Sequence, residues 1–233
     1  MNLPKRLLCS AAFAVVTAPF LLIATACGSE HRSGNSLFGD MRVGSGTLLS
    51  QTRELPAFSS IEVDGSSDVE VQIGAAQQVA VTGDDNLLDM IDLTVRDGRL
   101  TVSSHGSYRS RRDLKVVITL PALDAVTIEG SGDVVLHGFT GSALKLRIAG
   151  SGDIHADGAV DTLALRIAGS GDADLSALKA KTAAVEINGS GDASVFASES
   201  LSAATNGSGD IRYSGDPKQL ATAVHGSGDI RRF

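Results

Sequence analysis

The tetrapeptide Gly-Ser-Gly-Asp begins at Gly130 and recurs at Gly150, Gly169, Gly189, Gly207 and Gly226, in steps of 20, 19, 20, 18 and 19 residues. A variant, Gly-Ser-Ser-Asp, begins at Gly65. A step this constant measures a structural unit, and a fixed period of this length is the mark of stacked repeats. Ahead of each copy runs an alternating segment such as LKLRIA at Leu144, LALRIA at Leu163 or AAVEIN at Ala183. Apolar residues at every second position, as in Leu144, Leu146 and Ile148, bury one face of a strand. The alternation resumes behind the turn with Val134 and Leu136, Ile154 and Ala156, and Ala193 and Val195. Each tetrapeptide is therefore a corner between two short strands.

A meander of hairpins also sets Gly-rich turns between strands, but it puts successive copies at opposite ends of the sheet. One constant and one variable corner per unit fit a coil that winds once and stacks on its predecessor, with equivalent residues about 4.8 Å apart in parallel register. The expected fold is all-β, a parallel β-helix or β-solenoid with coils of about 18–20 residues in the C-terminal half. Six to seven such coils make a rod on the order of 30 Å.

Glycine suits such a corner because it takes positive φ and tolerates close approach of neighbouring backbone. Ser and Asp side chains close turns by bonding local backbone N–H groups. Stacking also files Asp133, Asp153, Asp172, Asp192, Asp210 and Asp229 into one column. Unit charges about 5 Å apart repel by about 0.8 kcal/mol in water, and more near a protein surface. Backbone donors, solvent screening or a bound cation such as Ca²⁺ must compensate, which leaves two readings of the column: turn architecture, or repeated weak cation sites.

The N-terminus reads as an export signal. Lys5 and Arg6 precede an apolar stretch from Leu7 to Leu22, and IATAC, Ile23 to Cys27, closes it with small residues. Small residues directly before a cysteine resemble a bacterial lipobox, which makes Cys27 the lipidated first residue of the mature chain. Ala24 stands where such motifs carry Leu, and an ordinary signal cleaved before a chance cysteine is the alternative. Cleavage there also removes Cys9 and leaves no pair for an intramolecular disulfide. Loss of Lys5 and Arg6 takes the formal charge from −7 to −9. That balance argues against nucleic acid and anionic headgroups as partners and leaves the lipid anchor as the membrane contact. Domain organisation follows: signal 1–26, lipidated Cys27 with a Gly/Ser-rich tether to residue 46, and a β-solenoid from 47 to 233. The solenoid divides into irregular coils over 47–120 and regular coils over 121–233.

In the N-terminal half, Ile61, Val63, Val69, Val71, Ile73, Val79 and Val81 alternate as strands, and VRDGRLTV is a strand, a tight Asp97-Gly98 turn and a second strand. This half reads as earlier, longer coils of the same solenoid. Five segments here and beyond resemble a known family: R-x-L-x-x-F-x-x-I-x-V-x-G from Arg53, V-x-V-x-G-D-x-N-L from Val79, V-x-D-G-x-L-x-V from Val95, V-x-I-T-L-P-x-L from Val116, and the Gly-Ser-Gly-Asp corners. Together they resemble the head GIN domain, a domain of unknown function labelled an autotransporter adhesin. The resemblance spans Arg53 to Phe233 and implies a right-handed β-helix-like fold on a secreted or lipid-anchored envelope protein. It carries no catalytic residues across.

Motifs of known chemistry are absent from the sequence: no Gly-x-Ser-x-Gly elbow, His-Glu-x-x-His, P-loop or Gly-x-Gly-x-x-Gly. His137 and His155 fall near equivalent corners, where solvated histidines are the plain reading and a stacked metal pair the sharper one. Asn188-Gly-Ser and Asn206-Gly-Ser match a glycosylation sequon by accident of the turn motif. Arg147 and Arg166, read as two coils apart in register and three positions ahead of their turns, are candidates for an outer binding face near Asp153 and Asp172. On such a face a polysaccharide-active enzyme is one alternative and a calcium-dependent module another, while outward arginines also simply keep a sheet soluble. The expected function is non-catalytic: an adhesin-like or scaffolding envelope lipoprotein, with a glycan or envelope protein as partner. The sequence ends GSGDIRRF, so the last strand edge is open either to a second subunit or to guarding by Arg231 and Arg232.

Overall fold

The computed structural model describes residues 41–233, so the signal, Cys9, Cys27 and the tether up to residue 40 lie outside the described residues. Seventeen strands and one 3-10 turn make up the described part. The strands run β1 Met41–Val43, β2 Leu48–Arg53, β3 Ser60–Gly65, β4 Asp68–Ile73 and β5 Gln78–Asp84, after which the 3-10 turn spans Asp85–Met90. Then come β6 Ile91–Arg96, β7 Arg99–Ser104, β8 Ser107–Arg109, β9 Lys115–Leu120 and β10 Ala125–Gly130. The long coils are β11 Val134–Gly150, β12 Ile154–Gly169, β13 Ala173–Gly189 and β14 Ala193–Gly207, and β15 Ile211–Ser214, β16 Gln219–Gly226 and β17 Ile230–Arg232 finish the chain.

The architecture is the parallel β-solenoid that the period predicts. The first glycines of all seven corners stand in one parallel register, Gly65 with Gly130, then Gly150, Gly169, Gly189, Gly207 and Gly226. Five full circuits separate Gly130 from Gly226. The variable corner does not end the strands: each of β11 to β14 runs through it, with register shifts such as that between Leu136 and Phe139. Extra residues are absorbed there, so the 18- to 20-residue steps leave the constant corner aligned.

Inward side chains form files along the rod. Ile148, Ile167 and Ile187 stack before the corner, and Val134, Ile154, Ala173, Ala193 and Ile211 after it, all buried. Burying one such Ile or Leu side chain is worth about 1.5–3 kcal/mol, so the column of like residues is the principal cohesive element. At the position after Ile187 the file switches to Thr205, buried, whose hydroxyl donates to the Gly209 carbonyl at 2.9 Å.

Both glycines of the motif are required by stacking. A Cβ on Gly169, where φ is +148°, would fall 2.1 Å from the Gly150 carbonyl oxygen, and one on Gly171 would fall 2.1 Å from that of Gly152. The variant copy is explained by what lies beneath it. A Cβ at Gly65 would meet only the Ser104 hydroxyl, at 3.5 Å, and the third position carries buried Ser67.

The N-terminal half departs from the expectation of simple earlier coils. β3–β4 forms one coil and β7–β9 another, yet the later-sequence coil lies outside the earlier one: β3 sits between β10 and β7, and β4 between β11 and β9. Strands β5 and β6 then run antiparallel against β9 and β7, with β2 antiparallel outside β5. The Asp97-Gly98 hairpin between β6 and β7 is as expected, with φ of 51° and 73°. This antiparallel layer with its 3-10 turn covers the parallel stack, burying Leu87, Leu88 and Met90. The tether was expected to reach residue 46. Its last part instead belongs to the domain, since Met41–Val43 pairs in parallel with Ser107–Arg109.

Candidate functional site

Along the constant corner, each aspartate bonds to the next coil. The backbone N–H of Asp153 donates to Oδ1 of Asp133 at 2.9 Å, and the same link joins Asp172 to Asp153, Asp192 to Asp172, Asp210 to Asp192 and Asp229 to Asp210 at 2.7–2.9 Å. Asp133 reaches down to Asp68 in the same way at 3.2 Å. Every Gly-Ser-Gly-Asp corner but one also sends two N–H groups to the glycine carbonyl below, as Ser151 and Gly152 do to Gly130; the corner at Gly189 sends the Ser190 N–H alone. Backbone donors therefore offset the like-charge column, at one donor for each carboxylate from Asp68 to Asp210. Among the described residues, no group of three or more His, Cys, Asp or Glu side chains is placed to hold a metal ion.

Asp68, at the inner end of the column, differs from the rest. Asp68 keeps much of its surface in solvent, yet partial desolvation pushes its carboxyl above the ordinary Asp value, and the charges of Asp133 and Asp113 push the same way, against the lowering effect of the Asp133 N–H.

The flank ahead of the corner carries the second feature, an open trough of about 590 Å³. Its small side chains form a file of Ala125, Lys145, Ala164, Ala184 and Ser202, in which only Lys145 is large. Beside it runs the file Thr127, Arg147, Arg166, Glu186 and Ala204. Arg147 and Arg166 thus stand on neighbouring coils, not two coils apart as the sequence reading placed them. Both line the trough, so the structure does bring them together. It does not bring Asp153 or Asp172 to them: the corner aspartates lie outside the trough and face the next coil's backbone.

The carboxylate that meets Arg166 is Glu186, which the sequence reading missed. Arg166 Nη2 donates to Glu186 Oε2 at 2.6 Å and Asn188 Nδ2 to Oε1 at 2.8 Å. Asn188 and then Arg166 hold the Glu186 carboxyl below its ordinary value. Asn206 Nδ2 in turn donates to Asn188 Oδ1 at 3.0 Å, so the accidental sequons form a small amide ladder along the trough edge. Lining up the third residue ahead of every corner would have found Glu186, because register makes that column a spatial file. His137 pairs with Asp157 at 3.1 Å, while His155 lies in register with Val135, so the two histidines are not stacked partners. The Gly138 N–H and then His137 hold Asp157 below its ordinary value.

Residues 57–217, which hold the corner ladder and the glycine-lined stack, match one family model, described as "Putative auto-transporter adhesin, head GIN domain". The chain belongs to this family. The head GIN fold is also seen in solved structures. A protein from Bacteroides fragilis, titled a putative adhesin, superposes with a TM-score of 0.67 at 23% identity, over 82% of this chain and 99% of that one. One from Parabacteroides merdae, with the same title, gives 0.54 at 21% identity, over 84% and 100%. One from Parabacteroides distasonis, titled a putative lipid binding protein, gives 0.53 at 25% identity, over 82% and 98%. No curated protein matches the sequence. The family and these structures are named for adhesion or binding, not for catalysis.

Proposed function

We propose that this head GIN chain is a non-catalytic lipoprotein of the bacterial cell envelope, anchored through Cys27, whose solenoid flank binds an extended acidic chain, a glycan in class. The observation that carries this reading is the trough: three cations, Lys145, Arg147 and Arg166, line a file of small residues along the rod axis. Small side chains let a flat ligand approach the strands, and repeated coils offer equivalent contacts to a repeating polymer. Lys145 and Arg147 form no ion pair with a described carboxylate, so they are available to anionic groups. A polysaccharide-active enzyme is less well supported, because the one carboxylate beside the arginines is already engaged by Arg166 and Asn188.

Binding to immobilised acidic and neutral envelope polysaccharides tests this. Binding of acidic chains alone, weakened at least about tenfold in Arg147→Ala/Arg166→Ala, is the expected result, since each charge-assisted contact is worth about 1.5–3 kcal/mol. Equal binding by that variant removes the trough from the account, and release of reducing ends or unsaturated products removes the non-catalytic assignment. Metabolic acyl labelling that is lost in Cys27→Ala tests the anchor.

A further inference from the structure

At the N-terminal end of the domain, Met41 and Val43 of β1 and Leu48 and Leu49 of β2 stand in solvent, 47–67% exposed. Strand β1 pairs in parallel with β8, with Arg42 beside Tyr108 and Val43 beside Arg109. Residues in register point to the same side, so Met41, Val43 and Arg109 share one face while Arg42 and Tyr108 share the other. On that second face Tyr108 packs against the core and Arg42 pairs with Asp89 at 2.8 Å. The outer face continues into Ser110, Arg111 and Arg112, which with Val43, Gly44 and Arg109 line a hollow of about 800 Å³.

Buried Asp84 holds this corner together. It accepts the Ser110 hydroxyl at 2.6 Å, has Arg112 Nε 3.9 Å away, and is overlain by Gly44, where a Cβ would fall 1.8 Å from Oδ2. Neither Arg109 nor Arg111 has a carboxylate within ion-pair distance among the described residues.

We infer that this end of the domain is a membrane-docking surface: Arg109, Arg111 and Arg112 engage the headgroup phosphates of anionic phospholipids while Met41, Val43 and Leu48, the last in register with Asp84 of the hollow, enter the headgroup boundary. Apolar side chains flanked by arginines are the composition that binds there, each basic residue adding to the attraction. The occupant follows from connectivity. Met41 lies fourteen residues beyond Cys27 in the sequence, a reach of at most about 50 Å. An acyl chain on Cys27 therefore keeps this end near the bilayer, and the trough extends away from it along the rod. The formal charge, −7 for the full chain and −9 after loss of Lys5 and Arg6, does not forbid docking, because screening over about 8 Å makes the local patch what the headgroups meet. The anchored-lipoprotein reading supplies only the delivery of the domain to the membrane. The docking itself is a property of the unacylated chain.

The protein contains no Trp, so one introduced indole reports on its own surroundings. Full-length chains carrying Cys27→Ser with either Val43→Trp or, on the trough, Ser202→Trp are mixed with phosphatidylcholine vesicles with or without about one third phosphatidylglycerol. The apolar Leu7–Leu22 segment is common to both chains, so the comparison isolates the docking surface. The expected result is a blue shift and quenching by brominated acyl chains for Val43→Trp on anionic vesicles, with Ser202→Trp unchanged. Replacing Arg109, Arg111 and Arg112 by Ala weakens this signal roughly fivefold per arginine, and replacing them by Lys retains most of it. An unchanged far-UV spectrum shows that the triple variant is folded.

No shift at Val43→Trp on anionic vesicles overturns the inference, as does an equal shift on neutral vesicles or in the triple Ala variant. A shift produced by inorganic phosphate alone also overturns it, in favour of a soluble anion site. Loss of acyl labelling at Cys27 with docking intact removes the anchor and leaves the surface; the reverse outcome removes the surface and leaves the anchor.

Discussion

The backbone N–H of Asp192 donates to Oδ1 of Asp172 across 2.7 Å, joining two residues that lie one circuit apart. The bond asks for an acceptor oxygen at that reach and not for a negative charge. Asp172→Asn therefore stays within about 0.5 kcal/mol of the native protein, while Asp172→Ala, which strands the Asp192 N–H, costs about 1 kcal/mol. Urea denaturation of the two variants checks the difference, and equal losses would remove the ladder from the account of stability.

Gly171 and Gly98 separate stacking from backbone conformation. A Cβ at Gly171 meets the Gly152 carbonyl oxygen at 2.1 Å, whereas Gly98, at φ +73°, has nothing within 4 Å. Gly171→Ala should cost on the order of 3 kcal/mol or more, through displaced coils, and Gly98→Ala about 1–2 kcal/mol. Thermal melts of both variants decide it.

Asp68 sets a pH dependence of definite sign. Because partial desolvation raises its folded pKa, the fold holds the Asp68 proton more tightly than the unfolded chain does. The stability from that group is complete below the ordinary value of about 3.9 and is lost as pH rises through the folded value. Asp68→Asn keeps an oxygen for the Asp133 N–H, bonded at 3.2 Å, and removes the charge. The variant should melt above the native protein at neutral pH, with the gap closing toward about pH 4. Asp157, held low, acts in the opposite sense: its contribution is present above the ordinary value and is lost as pH falls through the folded one.

Calcium provides a fourth test. With Oδ1 of each of Asp133, Asp153, Asp172, Asp192 and Asp210 already accepting a backbone N–H, millimolar Ca²⁺ should leave the melting temperature where EDTA leaves it. A rise with Ca²⁺ that disappears in Asp153→Ala/Asp172→Ala would restore the cation-site reading, since a ligand that binds only the folded state must stabilise it.

The sequence alone determined the stack. A side-chain period of two with a corner every 18–20 residues leaves one arrangement that buries every apolar file, and register then follows from the glycines, whose missing Cβ atoms admit the carbonyl below. The candidate face was half legible for the same reason: Arg147 and Arg166 share an offset from their corners, and Glu186 has that offset too but differs in sign and was passed over.

Only the tertiary structure decided the N-terminal end. Nothing local in LTVRDGRLTVSS says that β7 will lie outside β3, because the chain's order in space there depends on which strand edge is still free when each segment docks. The same non-local pairing sets Met41–Val43 beside Ser107–Arg109, sixty-six residues away by number (107 − 41), and gathers the arginines with the exposed apolar side chains. Periodic contacts repeat at a fixed interval and so are written in the sequence; contacts made once, across a long loop, are selected by packing.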